Sequence, residues 1–163
     1  GELEYIEQPC ATVEELAGVR RRVSTPIAAD ESIRKAADPY RVAELNAADV
    51  AVTKVAPLGG VRRLMTISGD LGLKLTVASA LDTAVGIHAG LVAAKVTGSQ
   101  AAGLATQRLF IEDVAEPFDF AGGRMRIRDA TPDPDRLTEL AAPGERKDWW
   151  FERVTRCLPY LGD

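Results

Sequence analysis

Residues 49–60, Asp49-Val50-Ala51-Val52-Thr53-Lys54-Val55-Ala56-Pro57-Leu58-Gly59-Gly60, decide the fold. Asp49 to Val55 is an apolar, β-branched run of strand length. Pro57 and the Gly59-Gly60 pair break it, and helical spacing takes over from Val61 to Gly69. A strand apolar on both faces suits a parallel sheet covered by helices. Toward the amino terminus the unit repeats. Pro26 to Ala29 is a short strand, followed after the turn Asp30-Glu31-Ser32 by a helix over Pro39 to Leu45 that Asp38 and Pro39 open. Before that, the apolar run Leu3-Glu4-Tyr5-Ile6 is closed by Pro9. Thr12 to Val23 then reads as a helix, with Thr12 and Glu15 at capping-box spacing. Toward the carboxy terminus Lys74 to Ala78 is a strand leading into a helix over Thr83 to Val96, and Ala101 to Phe110 reads as a fifth strand.

The polar residues at the strand ends, Glu7, Asp30, Lys54 and Ser79, recur at intervals of 23, 24 and 25 residues. Near-constant βα units suit a barrel, in which each unit does the same geometric job, better than an open sheet with unequal crossovers. The class is therefore α/β, a partial TIM-type (β/α) barrel. A full eightfold barrel takes about 250 residues, so four or five strands amount to about half of one. Residues 1–110 are expected to form this half of a (β/α) barrel catalytic domain, and 111–163 a loop-rich carboxy-terminal extension packing on the barrel or on a capping domain. Within the extension Gly122-Gly123 marks a hairpin turn. Trp149-Trp150-Phe151, with Val154 and Leu158, predicts a terminal amphipathic helix whose tryptophans act as anchors. The chain opens without Met and enters a strand almost at once, as the middle of a protein does.

The composition, 46% hydrophobic and 27% charged, excludes disordered and fibrous classes. A net charge of −4 leaves no basic stripe for nucleic acid or an anionic membrane, so a small-molecule ligand is expected. The longest uncharged apolar stretch, Thr83 to Ala94, is well short of the ~20 residues that span a bilayer. Cys10 and Cys157 form no CxxC or Cys/His cluster and read as free thiols in a cytoplasmic setting.

At the carboxy-terminal ends of parallel barrel strands, side chains face one mouth, where active sites sit. Glu7 and Asp30 bring hard oxygen donors there, suited to Mg²⁺ rather than to a soft metal. Lys54, on a strand of valines, must point into the mouth or be paired, because burying an unpaired charge is costly. Asp82 reads as a cap for the helix after it, and Glu112 and Asp113 as solvated loop acids. Arg34 and Lys35 are expected to be solvated, and His88 to be packed or on the surface.

These residues carry a resemblance. Tyr5-Ile6-Glu7-Gln8-Pro9, Ile27-Ala28-Ala29-Asp30-Glu31-Ser32 and Lys54-Val55-Ala56-Pro57-Leu58-Gly59-Gly60 are similar, in order and spacing, to the muconate-lactonizing-like branch of the enolase superfamily. Within it EYIEQPCAT, PIAADESIRK, KVAPLGG and SALDTAVGIHAGL look most like actinobacterial o-succinylbenzoate synthases. The resemblance implies the carboxy-terminal half of a (β/α)7β barrel. It also implies a lyase, in which a base removes a proton next to a carboxylate, with Mg²⁺ and menaquinone biosynthesis as its setting. Glu7 and Asp30 resemble the second and third metal ligands, and Lys54 the sixth-strand lysine that stabilises the intermediate. Ser79 and Ala80 match seventh-strand substrate contacts, Gly59 and Gly60 a turn that lets backbone approach the substrate, and Glu31 a residue orienting the ligands. The family's second-strand KxK base and third-strand Asp ligand have no counterpart here, so an isolated segment is expected to be inactive, its missing partner being the amino-terminal half of the same enzyme. Other members of the branch, the N-acylamino-acid racemases and dipeptide epimerases, share these ligands and are the alternative. A non-catalytic half-barrel that pairs with itself or a partner is a third reading.

Overall fold

Strand register explains how alternating side chains divide between a helix-covered face and an inner one. In the computed structural model, which describes residues 2–99 and 101–160, four βα units follow one another. They are β1 (Ile6–Glu7) and α1 (Val13–Arg20), β2 (Ile27–Ala29) and α2 (Asp38–Glu44), β3 (Val50–Lys54) and α3 (Val61–Leu71), and β4 (Lys74–Ala78) and α4 (Ala84–Thr97). The strands form one parallel sheet in the order β1-β2-β3-β4, with Glu7 beside Ala28, Ala28 beside Val50, and Lys54 beside Ala78. This is the expected α/β half-barrel arrangement. The outermost residues 1 and 161–163 of the two expected regions lie outside the described residues.

Successive strand residues point to opposite faces. Ile27, Ala29, Ala51 and Val77 therefore join Leu16, Leu58, Leu64, Ile67 and Ile87 in the large core under the helices. Each fully buried Leu, Ile or Val side chain there contributes roughly 1.5–3 kcal/mol. Ala28, Val50 and Val52 form a second, smaller cluster with Tyr5 and Ala78 against it. By the same alternation Glu7, Asp30 and Lys54 share that inner face.

Local signals explain the helix starts. Thr12 accepts from the Glu15 amide and Glu15 reaches back to the Thr12 amide, completing the capping box read from the sequence. Helix α4 departs from expectation. The Asp82 carboxylate accepts from the Ala80 amide at 3.1 Å, while the Ala84 amide donates to Asp113 at 2.8 Å. Asp113 is thus a buried cap brought in from the extension, not a solvated loop acid. A helix's first amides lack internal partners, and any acceptor that reaches them serves, whatever its distance in sequence.

The expected fifth strand is also corrected. Only Gly103 pairs, in a single parallel bridge to Ala78, and the chain then enters a 3-10 turn over Thr106–Leu109. Ala101-Ala102-Gly103 has no β-branched residue to favour extension. Leu104 instead turns inward over α4. A Cβ at Gly90 would lie 2.6 Å from Leu104 Cδ2, so glycine is what permits that approach.

The hairpin of β5 (Phe120–Ala121) and β6 (Arg124–Met125) turns through Gly122 and Gly123, both at positive φ, as expected. Two helices follow, α5 (Pro134–Glu139) and α6 (Gly144–Cys157). The extension is anchored through Asp113, Ala115 and Phe118, which are buried. Neither α5 nor α6 buries a residue; Trp149, Trp150 and Phe151 are exposed, and Trp149 packs edge-on against Trp150 within α6. Cys10 and Cys157 are free, and among the described residues no helix is long and apolar enough to cross a membrane.

At the amino-terminal rim of the strands, Asp49 accepts from Arg20 at 2.7 Å and from the Ile27 amide at 2.9 Å. Arg20 chiefly, and the Ile27 amide with it, hold the Asp49 carboxyl below its ordinary pKa against the opposing effect of burial. Such a lowered group stabilises the fold fully above its unfolded pKa of about 3.9, and the contribution is lost as pH falls through the lower folded value. Asp49→Asn is therefore expected to cost about 1–2 kcal/mol at pH 7. The gap to the unsubstituted protein should narrow as pH falls through and below 4, measured as urea midpoints at both pH values. A gap independent of pH would remove the charge from this account.

Candidate active site

Lys54 is the pivot of the site. It ends β3 on the inner face, is 7% exposed, and its Nζ donates to Asp30 Oδ1. Asp30, 8% exposed just beyond β2, also has Arg34 Nη1 3.4 Å from the same oxygen. Arg34 therefore reaches the site, although its charge reads as solvated in the sequence. Glu7, at the end of β1, is exposed as a whole residue. Even so, partial desolvation and then the negative charge of Asp30 push its carboxyl above the ordinary pKa, with Lys54 opposing them. The three residues thus converge on one mouth. They reach it because each follows, by an even number of residues, an apolar neighbour that packs inward.

The other expected residues fall around this centre. Glu31 is exposed and pairs with Arg34 at 3.4 Å, and its charge is felt at Glu7. Gly59 and Gly60 have φ of 92° and 100°, a region open to glycine. Their amides donate to Ala56 O and Val55 O inside the turn itself. The Ser79 hydroxyl donates to Gly103 O at 2.9 Å and accepts from Thr106 at 2.7 Å, so it ties the β4 end to the following turn. Ala80 is exposed at the same rim.

One residue that the sequence reading passed over joins β1 to β2. Gln8 has φ of 39°, unusual for a side chain larger than glycine. Its Oε1 accepts from the amides of Asp30 at 3.0 Å and Ser32 at 3.1 Å, and its Nε2 donates to Ser32 Oγ at 2.8 Å and Cys10 O at 2.9 Å. Its position between a strand-end acid and Pro9 was the available signal.

Among the described residues no group of three His, Cys, Asp or Glu stands ready to hold a metal. Glu7 and Asp30 nevertheless fit part of a shell for a hard cation. The Asp30 charge that raises the Glu7 carboxyl would be offset by positive charge between the two, and Mg²⁺ takes one or two carboxylates with water and substrate oxygens for the rest.

Comparison with known proteins places the chain in a family. The chain is 56% identical over 159 residues to the o-succinylbenzoate synthase of Mycolicibacterium smegmatis, covering 96% of this chain and 50% of that protein. It is 53% identical to the synthase of Mycobacterium leprae, covering 100% of this chain and 51% of the relative. The chain therefore spans about half the length of the curated relatives it matches. Among solved structures, an enolase described as a putative sugar isomerase from Streptomyces coelicolor aligns with a TM-score of 0.79 at 26% identity, over 89% of this chain and 41% of that one. Muconate lactonizing enzyme from Pseudomonas putida aligns at 0.73 and 26%, over 86% and 43%. The enolase C-terminal domain-like family profile matches residues 1–134. On a match covering the whole sheet and its converging acids and lysine, the chain belongs to the enolase C-terminal domain-like family.

Proposed function

We propose that this chain is the carboxy-terminal half of the active site of an o-succinylbenzoate synthase. In that reading the complete enzyme dehydrates 2-succinyl-6-hydroxy-2,4-cyclohexadiene-1-carboxylate to 2-succinylbenzoate, in menaquinone biosynthesis. The observation that carries the proposal is the meeting of Glu7, Asp30 and Lys54 at the ends of adjacent parallel strands. The identity of 53–56% to proteins bearing that name supports the choice of reaction.

The residues divide the work as follows. Glu7 and Asp30 would hold Mg²⁺, which when bound would supply positive charge to offset negative charge developing on the substrate. Lys54 presents its ammonium to the same developing charge from a fixed, buried position, so little reorganisation is needed during the reaction. Proton abstraction falls to a base outside this chain, on the amino-terminal half. Ser79, Ala80, Gly59 and Gly60 shape the rim around the substrate, and Glu31 orients its surroundings through Arg34.

The test is a parallel assay of the full-length enzyme for dehydration and for racemisation of an N-acylamino acid. Dehydration is expected to dominate, and the isolated 163-residue segment is expected to give no turnover. Racemisation exceeding dehydration would transfer the assignment to the racemases of the same superfamily.

A further inference from the structure

We infer that Gln8 is a positioning residue that sets the separation of Glu7 and Asp30, and through it the Mg²⁺ affinity of the enzyme. This rests on the functional reading above, since it assumes that the two carboxylates hold the metal.

Backbone pairing between β1 and β2 runs through Glu7 beside Ala28, with the Gln8 amide donating to Ala28 O at 2.9 Å. Asp30 lies beyond the last β2 residue, Ala29, in a segment that no ladder bond to β1 aligns. The Gln8 carboxamide takes over where the ladder stops. A carboxamide offers two N–H donors and an oxygen with two lone pairs. Here one oxygen accepts both the Asp30 and the Ser32 amides, and one nitrogen donates to Ser32 Oγ and to Cys10 O. All four capacities are used, which leaves the side chain no alternative partner. The turn carrying Asp30 is thereby bound to the residue next to Glu7.

Gln8 does this from a left-handed backbone conformation that costs free energy for any residue with a Cβ. A merely structural link between strands would not require that geometry, because the ladder itself supplies one at Glu7. The strained conformation aims the carboxamide across to the Asp30 turn, and its backbone immediately follows Glu7. Without the clamp, Lys54 and Arg34 still attract the Asp30 carboxylate, but no hydrogen bond fixes its turn to the residue beside Glu7, and the two like charges are less restrained from moving apart. Partners of this kind, which orient ligands without touching the ion, affect metal affinity by about 10–100-fold.

The experiment is Mg²⁺ titration calorimetry on the full-length enzyme, with thermal unfolding recorded in EDTA. Gln8→Met keeps the length of the side chain and removes all four bonds. Its Mg²⁺ Kd is expected to rise about 10–100-fold, with activity largely recovered when Mg²⁺ is raised in proportion. A structural role alone would lower the unfolding temperature in EDTA and leave the Kd of the folded enzyme within twofold, which would overturn the inference. Ser32→Ala removes only the bond from Nε2 to the hydroxyl, and keeps the test decisive should Gln8→Met fail to fold. It is expected to raise Kd about two- to tenfold, and an unchanged value overturns the inference. If the unsubstituted enzyme binds no Mg²⁺, the functional reading falls and this inference falls with it. Normal binding with unchanged variants overturns the positioning role alone.

Discussion

Substituting Lys54 by Met in the full-length enzyme is expected to lower kcat about 10³-fold while leaving the protein folded and able to bind Mg²⁺. The size follows from the kind of interaction removed. A preorganised donor aimed at developing charge in a water-poor site contributes about 10²–10³ in kcat, and a proton-transferring group about 10²–10⁴. The stability cost should be smaller than the loss of a buried charge's partner first suggests. Stranding such a charge costs about 3–5 kcal/mol where nothing else compensates. Asp30, however, keeps Arg34 at 3.4 Å, so its charge is not left without a partner. Lys54→Arg is expected to preserve the ion pair and still fail in turnover, because a planar fork on a different stem cannot place its charge where a compact ammonium sat. The measurement is kcat and KM at saturating Mg²⁺ beside unfolding curves for the three proteins. Retention of more than a tenth of the activity in Lys54→Met would remove Lys54 from the reaction and with it the main support for the enzymatic reading.

Much of this arrangement was legible in the sequence because it depends on short-range regularities. Four apolar runs, each followed by a helix signal at nearly equal spacing, specify a parallel sheet. Alternation along those runs places Glu7, Asp30 and Lys54 on one face. The capping box of Thr12 and Glu15 is equally local, since both partners lie within one turn of α1. The misses share the opposite property. Asp113 reads as a loop acid because its partner, the Ala84 amide, is 29 residues away. Gln8 receives no role from the sequence because its clamp closes on residues 22 and 24 positions ahead. The segment after Gln100 looks like a strand by position in the repeat, yet its small residues let Leu104 pack over Gly90 instead of continuing the ladder. Helix α6 is read correctly as helix, but where its aromatic face docks depends on surfaces that local pattern does not describe.

Asp30 offers the sharpest separation between fold and chemistry, because its carboxylate answers to both. Asp30→Asn in the full-length enzyme is expected to weaken Mg²⁺ binding by more than the roughly 10–100-fold that follows loss of an outer partner, since it removes one of the two carboxylates proposed to hold the ion. It also leaves Lys54 facing a neutral amide at 7% exposure, so a loss of about 1–3 kcal/mol in stability should accompany it. Glu7→Gln provides the contrast. Glu7 makes no ion pair with Lys54 and is exposed, so its loss should weaken Mg²⁺ comparably while changing stability little. Burial and the charges of Asp30, Lys54 and Glu31 all act on protonation of Glu7. The two variants together therefore distinguish a metal pair from an ordinary ion pair. If Asp30→Asn destabilises the protein and neither variant alters Mg²⁺ affinity, the carboxylates serve only to hold Lys54, and the cation must be bound without them.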